Sequence, residues 1–193
     1  AGHSGGTVTD DEAKLFINTM VAAFRSVSEE PTVSFKSGAD GATDAGYFFV
    51  TADYTDAAGN GVEGSFVDAS DYKVYFKVSD PTLQSGRTLR LYYYYACVDS
   101  NGSVVSTTSP AQLTTFYTAD TNKAAAAVTG GLVYYLKPSD ISGLLDGLSL
   151  NSTVRLYLAV TTGTTAPDTA ANAGGKSSYA LLELRKIGLF PLG

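Results

Sequence analysis

Hydrophobic residues recur along this chain with two different periods. Near the start, apolar positions fall at Ala13, Phe16, Ile17, Met20, Val21 and Phe24. The i, i+3, i+4, i+7 spacing lines one face of an α-helix. Thr9 stands three residues ahead of Glu12, the spacing at which a capping hydroxyl and a glutamate each take one orphan backbone N–H of the first turn. A helix is therefore predicted from about residue 10. Pro31 bounds it, because the residue before a proline disfavours the α region. The same stretch is rich in Val, Ile, Thr and Phe, so a β segment is the competing reading.

From Thr32 onward the period shortens to two. Residues 72–78 place Tyr72, Val74, Phe76 and Val78 on one face, with Lys73 and Lys77 opposite. Residues 87–98 place Leu89, Leu91, Tyr93, Tyr95 and Cys97 together, against Arg90, Tyr92 and Tyr94. Residues 153–161 point Val154, Leu156, Leu158 and Val160 inward and Arg155 and Tyr157 outward. Residues 178–187 repeat the pattern with Ala180, Leu182 and Leu184, and residues 47–54 alternate with aromatics on both faces. Asp99-Ser100-Asn101-Gly102 between two apolar runs is a hairpin signal. Pro138-Ser139-Asp140 followed by Ile141 and Leu144 reads as one helical turn. Residues 162–175, rich in Thr, Ala and Gly, read as an exposed loop. Several alternating strands separated by Gly, Asp, Asn and Ser turns predict an all-β, antiparallel β-sandwich of jelly-roll or immunoglobulin-like type. It is one domain over residues 29–193, preceded by an N-terminal arm over residues 1–28.

Composition fits this picture. A chain of 193 residues with 44% hydrophobic content can bury a core. Its net charge of −6 and lack of any Lys/Arg cluster argue against a nucleic-acid partner. No apolar run approaches the ~20 residues needed to span a membrane. Cys97 is the only cysteine, so no intrachain disulfide forms. The start at Ala1-Gly2 suits a mature terminus left by a removed leader, and so a secreted, extracellular protein. Asn101 and Asn151 begin glycosylation sequons. Two Gln, one Met and one Cys follow the depletion of labile residues seen in thermophiles, whereas 17% charged residues run against that trend.

Catalytic constellations are hard to assemble from these residues, and the chain is expected not to be an enzyme. The only histidine, His3, lies in a Gly-rich terminus where no third group can hold it as a base. Cys97 falls in the apolar register of a strand, the place of a core residue rather than a reactive thiol. No Gly-rich phosphate loop links a strand to a helix. Nineteen acidic residues offer many carboxylate pairs, but no spacing singles out a glycosidase pair. Calcium is the better chemical candidate. Asp40 and Asp44 flank Gly41, Asp53 and Asp56 precede a Gly-Asn-Gly turn, and Asp68 and Asp71 bracket another. Such loops supply hard oxygen donors, although turn aspartates are common for local reasons too. Tyr92 and Tyr94, on the face opposite Leu91, either meet sugars or a neighbouring subunit, or are covered within the chain.

Two stretches carry a family resemblance. Val27-Ser28-Glu29-Glu30-Pro31-Thr32-Val33, and then Gly38 to Val50 with Gly41, Asp44, Gly46 and Tyr47, resemble the N-terminal part of the cannula subunits of hyperthermophilic archaea. A last β segment running out at Gly193 is similar as well. The resemblance covers about a fifth of the chain. It implies a secreted β-sandwich that assembles with copies of itself into extracellular tubes, promoted by calcium, with an N-terminal segment completing the sheet of a neighbour. It makes Asp40 and Asp44 the first calcium candidates. It makes the arm, with Phe16, Ile17, Met20, Val21 and Phe24, the candidate donor, and this arm reads more helical than a donor strand should. Two other classes stay open. One is a carbohydrate-binding or adhesin module using Tyr92 and Tyr94. The other is a viral capsid protein.

Overall fold

The structure is a computed structural model. It describes residues 9–26, 30–51, 54–55, 61–62, 72–82, 87–144, 153–171 and 174–187. The chain forms two compact units, residues 1–30 and residues 31–193.

The first unit is built on helix α1, Asp10–Ser26. Its start is fixed as the Thr9/Glu12 spacing predicts. The Glu12 carboxylate accepts bonds from the Thr9 backbone N–H and hydroxyl, both at 2.9 Å, and the Glu12 N–H donates back to Thr9 Oγ1 at 3.3 Å. Asp10, Asp11 and Glu12 place negative charge where the helix dipole is positive.

The second unit is all-β, with two larger sheets packed over one core. The first sheet contains β1 (Thr32–Lys36), β5 (Val74–Ser79), β10 (Val133–Leu136) and β9 (Tyr117–Thr118), in the order β1-β5-β10-β9, all antiparallel. The second runs β2 (Tyr47–Thr51), β12 (Ala180–Ile187), β11 (Thr153–Thr161), β6 (Arg90–Val98), β7 (Val104–Thr107). Strand β8 (Ala111–Leu113) pairs with the other half of β6. The short strands β3 (Tyr54–Thr55) and β4 (Gly61–Val62) pair with each other. One pairing departs from the antiparallel expectation: β2 runs parallel to β12, with Glu183 opposite Tyr47 and Ile187 opposite Thr51.

The alternation read from the sequence is the alternation that packs. Phe35, Val74, Phe76, Val78, Tyr134 and Leu136 from the first sheet meet Leu91, Val154, Leu156, Leu158, Leu182 and Leu184 from the second. Every one of these side chains is at most 2% exposed. Burying a side chain of this size removes ~1.5–3 kcal/mol of unfavourable apolar hydration, so this single layer supplies the main cohesive energy of the unit. Cys97 is half-buried against the same core and is free.

The turns are held by local bonds. Asp99 Oδ1 accepts the N–H groups of Asn101 and Ser103, both at 2.9 Å, and Gly102 takes φ +82° to close the β6–β7 hairpin. The predicted helical turn is a 3₁₀ turn at Pro138–Asp140 without a side-chain cap. Ile141 and Leu144 follow it into the core. Gly143 sits at φ +77°, where a Cβ would lie 2.6 Å from the Tyr95 hydroxyl, so both the backbone and the space require glycine.

Candidate functional site

Two of the aspartates expected to bind calcium, Asp40 and Asp44, are described, and each has a local partner. Asp40 Oδ1 accepts the Ala42 N–H at 3.0 Å, an Asx-type turn. Asp44 meets the Lys36 ammonium at 2.6 Å, with 77% of its own side chain exposed. Both lie in the loop between β1 and β2, and among the described residues no third carboxylate joins them. Among the described residues no group of three or more His, Cys, Asp or Glu side chains converges as a metal site would require. Asp53, Asp56, Asp68 and Asp71 lie outside the described residues.

Tyr92 and Tyr94 are not an open platform. They are 6% and 8% exposed and form a second buried cluster with Ala159 and Tyr179, on the face of the β6–β11 pair away from the main core. The Tyr94 ring stacks on Tyr157 at 4.4 Å with planes 4° apart and meets Tyr179 edge-on at 4.9 Å. The segment between β11 and β12 covers them. Tyr92 donates its hydroxyl proton to the Thr164 carbonyl at 2.8 Å, and Tyr179 donates to the Pro167 carbonyl at 3.0 Å. The loop is exposed over most of its described residues, as expected, and tyrosine hydroxyls hold it to the sheet as a strap at two of its carbonyls. Burial pushes the Tyr179 phenol up to about 12, with Tyr94, Asp168 and Tyr92 adding to the rise. Burial also raises Tyr94, helped by Tyr157.

Another tyrosine row lies on the outer face of the first sheet, and the sequence reading did not single it out. Lys36, Tyr75, Tyr135 and Tyr117 stand side by side across β1, β5, β10 and β9. Tyr135 stacks on Tyr117 at 4.9 Å with planes 15° apart, and Lys73 lies 4.8 Å over its ring. Tyr135 is only 3% exposed. With Tyr135 buried and Lys73 over its ring, this row offers no open central ring in place of Tyr92 and Tyr94. The only signal for it in the sequence was the second register of β5 and β10.

What is exposed is apolar and lies elsewhere. On α1, Leu15, Phe16 and Ile17 are 69%, 66% and 58% exposed. The side chains of Met20, Val21 and Phe24 lie outside the described residues. In the second unit, Val104 and Val105 of edge strand β7 are more than half exposed. A cavity of about 280 Å³ opens beside β6 and β8. Leu89, Leu91, Leu113, Phe116 and Val128 line it and are buried, and Arg90, Gln112 and Ala127 are among the other lining residues. The buried lining residues belong to the main core. None of these features brings an acid, a base and a nucleophile together. No helix among the described residues is long and apolar enough to cross a membrane.

Compared with known protein families, with curated proteins and with solved structures, the chain matches none.

Proposed function

We propose that this chain is a secreted, non-catalytic structural subunit that assembles with copies of itself into an extracellular tube or filament through its N-terminal arm. The observation that carries this reading is α1: a helix in a compact unit of its own that leaves Leu15, Phe16 and Ile17 largely in water. Phe16 and Ile17 fall on the apolar face read from the sequence, and large apolar side chains left in water along one helix face mark a contact surface. An arm on one copy that fits a different surface on the next is a heterologous contact, and such contacts extend into open filaments when they do not close a ring. The arm is helical over Asp10–Ser26, so donation of these residues as a β-strand would first require the helix to unwind. Docking as a helix avoids that cost.

Calcium belongs to this reading as a promoter of assembly, with Asp40 and Asp44 as first ligands and the intervening backbone carbonyls as further oxygen donors. It would have to displace the Lys36 ammonium from Asp44. The test is electron microscopy of the purified chain and of a chain beginning at residue 29, each with and without calcium. The full chain should form long polymers, more readily with calcium, and the shortened chain should remain monomeric. Polymers of equal length from both chains would refute the role of the arm. Equal assembly in calcium and in chelator would remove the metal from the account.

A further inference from the structure

The tip of the β6–β7 hairpin holds the sequon Asn101-Gly102-Ser103. Turn chemistry accounts for its neighbours and leaves the sequon itself unexplained. Asparagine is favoured in turns because its side chain bonds the backbone two residues on and because it tolerates left-handed φ. Here Asp99 makes the side-chain bonds, to the N–H groups of Asn101 and Ser103. The Asp99 carbonyl accepts the Gly102 N–H and its own N–H donates to the Ser103 carbonyl, each at 3.0 Å. Gly102 takes the left-handed position, and Asn101 keeps a negative φ. Asn101 and Ser103 are both exposed, and neither side chain has a hydrogen-bond partner among the described residues. The amide and the hydroxyl that define the sequon thus both stand in water at the end of a rigid hairpin.

The strand that follows is an edge without charge. β7 is the outermost strand of its sheet among the described residues, and all of its residues are exposed. Such an edge invites pairing with another chain, and natural edges are guarded by charges, prolines, short length or bulges. β7 is short, and its register with β6 shifts beside Val98. Yet Val104 and Val105 remain more than half exposed. No charged residue lies between Asp99 and Asp120, and the proline in that stretch, Pro110, falls after β7. A glycan on Asn101 would add the bulk and solvation that charge supplies elsewhere. Val104 follows Asn101 by three positions, at most ~11 Å of extended chain, within the span of a branched oligosaccharide.

We infer that Asn101 is the acceptor of an N-linked glycan that screens the β7 edge. This rests on the secreted reading above, since the sugar donor, an oligosaccharide carried on a lipid diphosphate, is met during export. The Asn101 amide nitrogen bonds to the anomeric carbon, and the bond from that carbon to the phosphate oxygen breaks. The lipid diphosphate leaves, and the amide gives one proton to a base of the transferase. The test collects the chain separately from the cells and from the medium of its source and maps glycopeptides by mass spectrometry. Enzymatic release converts a glycosylated asparagine to aspartate and so marks the site, and Asn151 is read on its own peptide. The expected product is chain from the medium with a glycan on Asn101. Bare Asn101 on chain from the medium overturns the inference and leaves the secreted reading standing. Bare Asn101 on chain confined to the cells overturns both. Produced behind a cleavable leader in a eukaryotic secretory host, the chain should carry a glycan on Asn101 that Asn101→Gln and Ser103→Ala lose and Ser103→Thr keeps. Polymers lacking that glycan should bundle side by side in electron micrographs, and Val105→Lys should disperse them. Equal dispersal with and without the glycan overturns the screening role.

Discussion

Tyr179 offers a sharp test of the strap over the second tyrosine cluster. Its ring is 5% exposed, its hydroxyl donates to the Pro167 carbonyl at 3.0 Å, and it meets Tyr94 edge-on. Ionisation would remove the donated proton and leave a phenolate facing a carbonyl oxygen in a largely dry site. Hence the folded-state pKa of about 12, against about 10 for a tyrosine in an unfolded chain. The sign follows directly. Below pH 10 the phenol is neutral in both states and its stabilising contribution is fully present. As pH rises through 10 the unfolded chain ionises first, and the contribution is progressively lost, disappearing by about pH 12. One pKa unit corresponds to about 1.4 kcal/mol. At pH 11 the loss attributable to Tyr179 is therefore on the order of 1 kcal/mol, after allowance for water near the strap. The assay is urea unfolding of the native chain and of Tyr179→Phe at pH 8 and pH 11. The phenylalanine variant should be less stable at pH 8 by ~0.5–1.5 kcal/mol, the net value of one hydrogen bond. It should also lose less stability between the two pH values than the native chain does. Parallel losses in the two proteins would show that the Tyr179 hydroxyl titrates as if in water, and the strap would not be held as described.

Two further perturbations probe the rest of the fold. Gly143→Ala should cost about 2 kcal/mol or more, since φ +77° alone costs an L-residue ~1–2 kcal/mol and the new Cβ meets the Tyr95 hydroxyl. Adding Tyr95→Phe should recover part of that loss in urea midpoints, and no recovery would refute the clash. Glu183 is held below its ordinary range, chiefly by the hydrogen bond from Arg185 and then by the one from Arg155. Its contribution is present above pH ~4.3, the unfolded value, and is lost as pH falls through the lower folded value. Glu183→Gln should therefore flatten the acid limb of stability between pH 5 and pH 3 by up to ~1 kcal/mol, and an unchanged limb would refute the pairing.

Much of this fold was legible because its strands are half-buried. Val74, Phe76 and Val78, or Leu156 and Leu158, alternate with polar neighbours because one side of each strand faces the shared core. Thr9 and Glu12 announced α1 because capping is local chemistry between residues three apart. The parallel β2–β12 pairing was not legible, since alternation reports which face is buried and carries nothing about strand direction or partner. The fate of Tyr92 and Tyr94 was not legible either. Their cover is a Thr/Ala/Gly-rich segment with no hydrophobic signal of its own, fastened through the backbone carbonyls of Thr164 and Pro167, which every residue possesses. The Asp40 and Asp44 loop was found in the sequence, but carboxylate spacing could not show that Lys36 already engages Asp44. The cavity beside β6 and β8 draws on those strands and on residues 126–128, segments that only the tertiary fold brings together.

The central claim is that exposed apolar side chains on α1 join one copy to the next. Sedimentation velocity of the full chain beside Phe16→Asp, at matched concentration in calcium, addresses it most directly. The account predicts large polymers from the native chain and a single species near 20.1 kDa from the variant. A native chain that sediments only as the same 20.1 kDa monomer would contradict it.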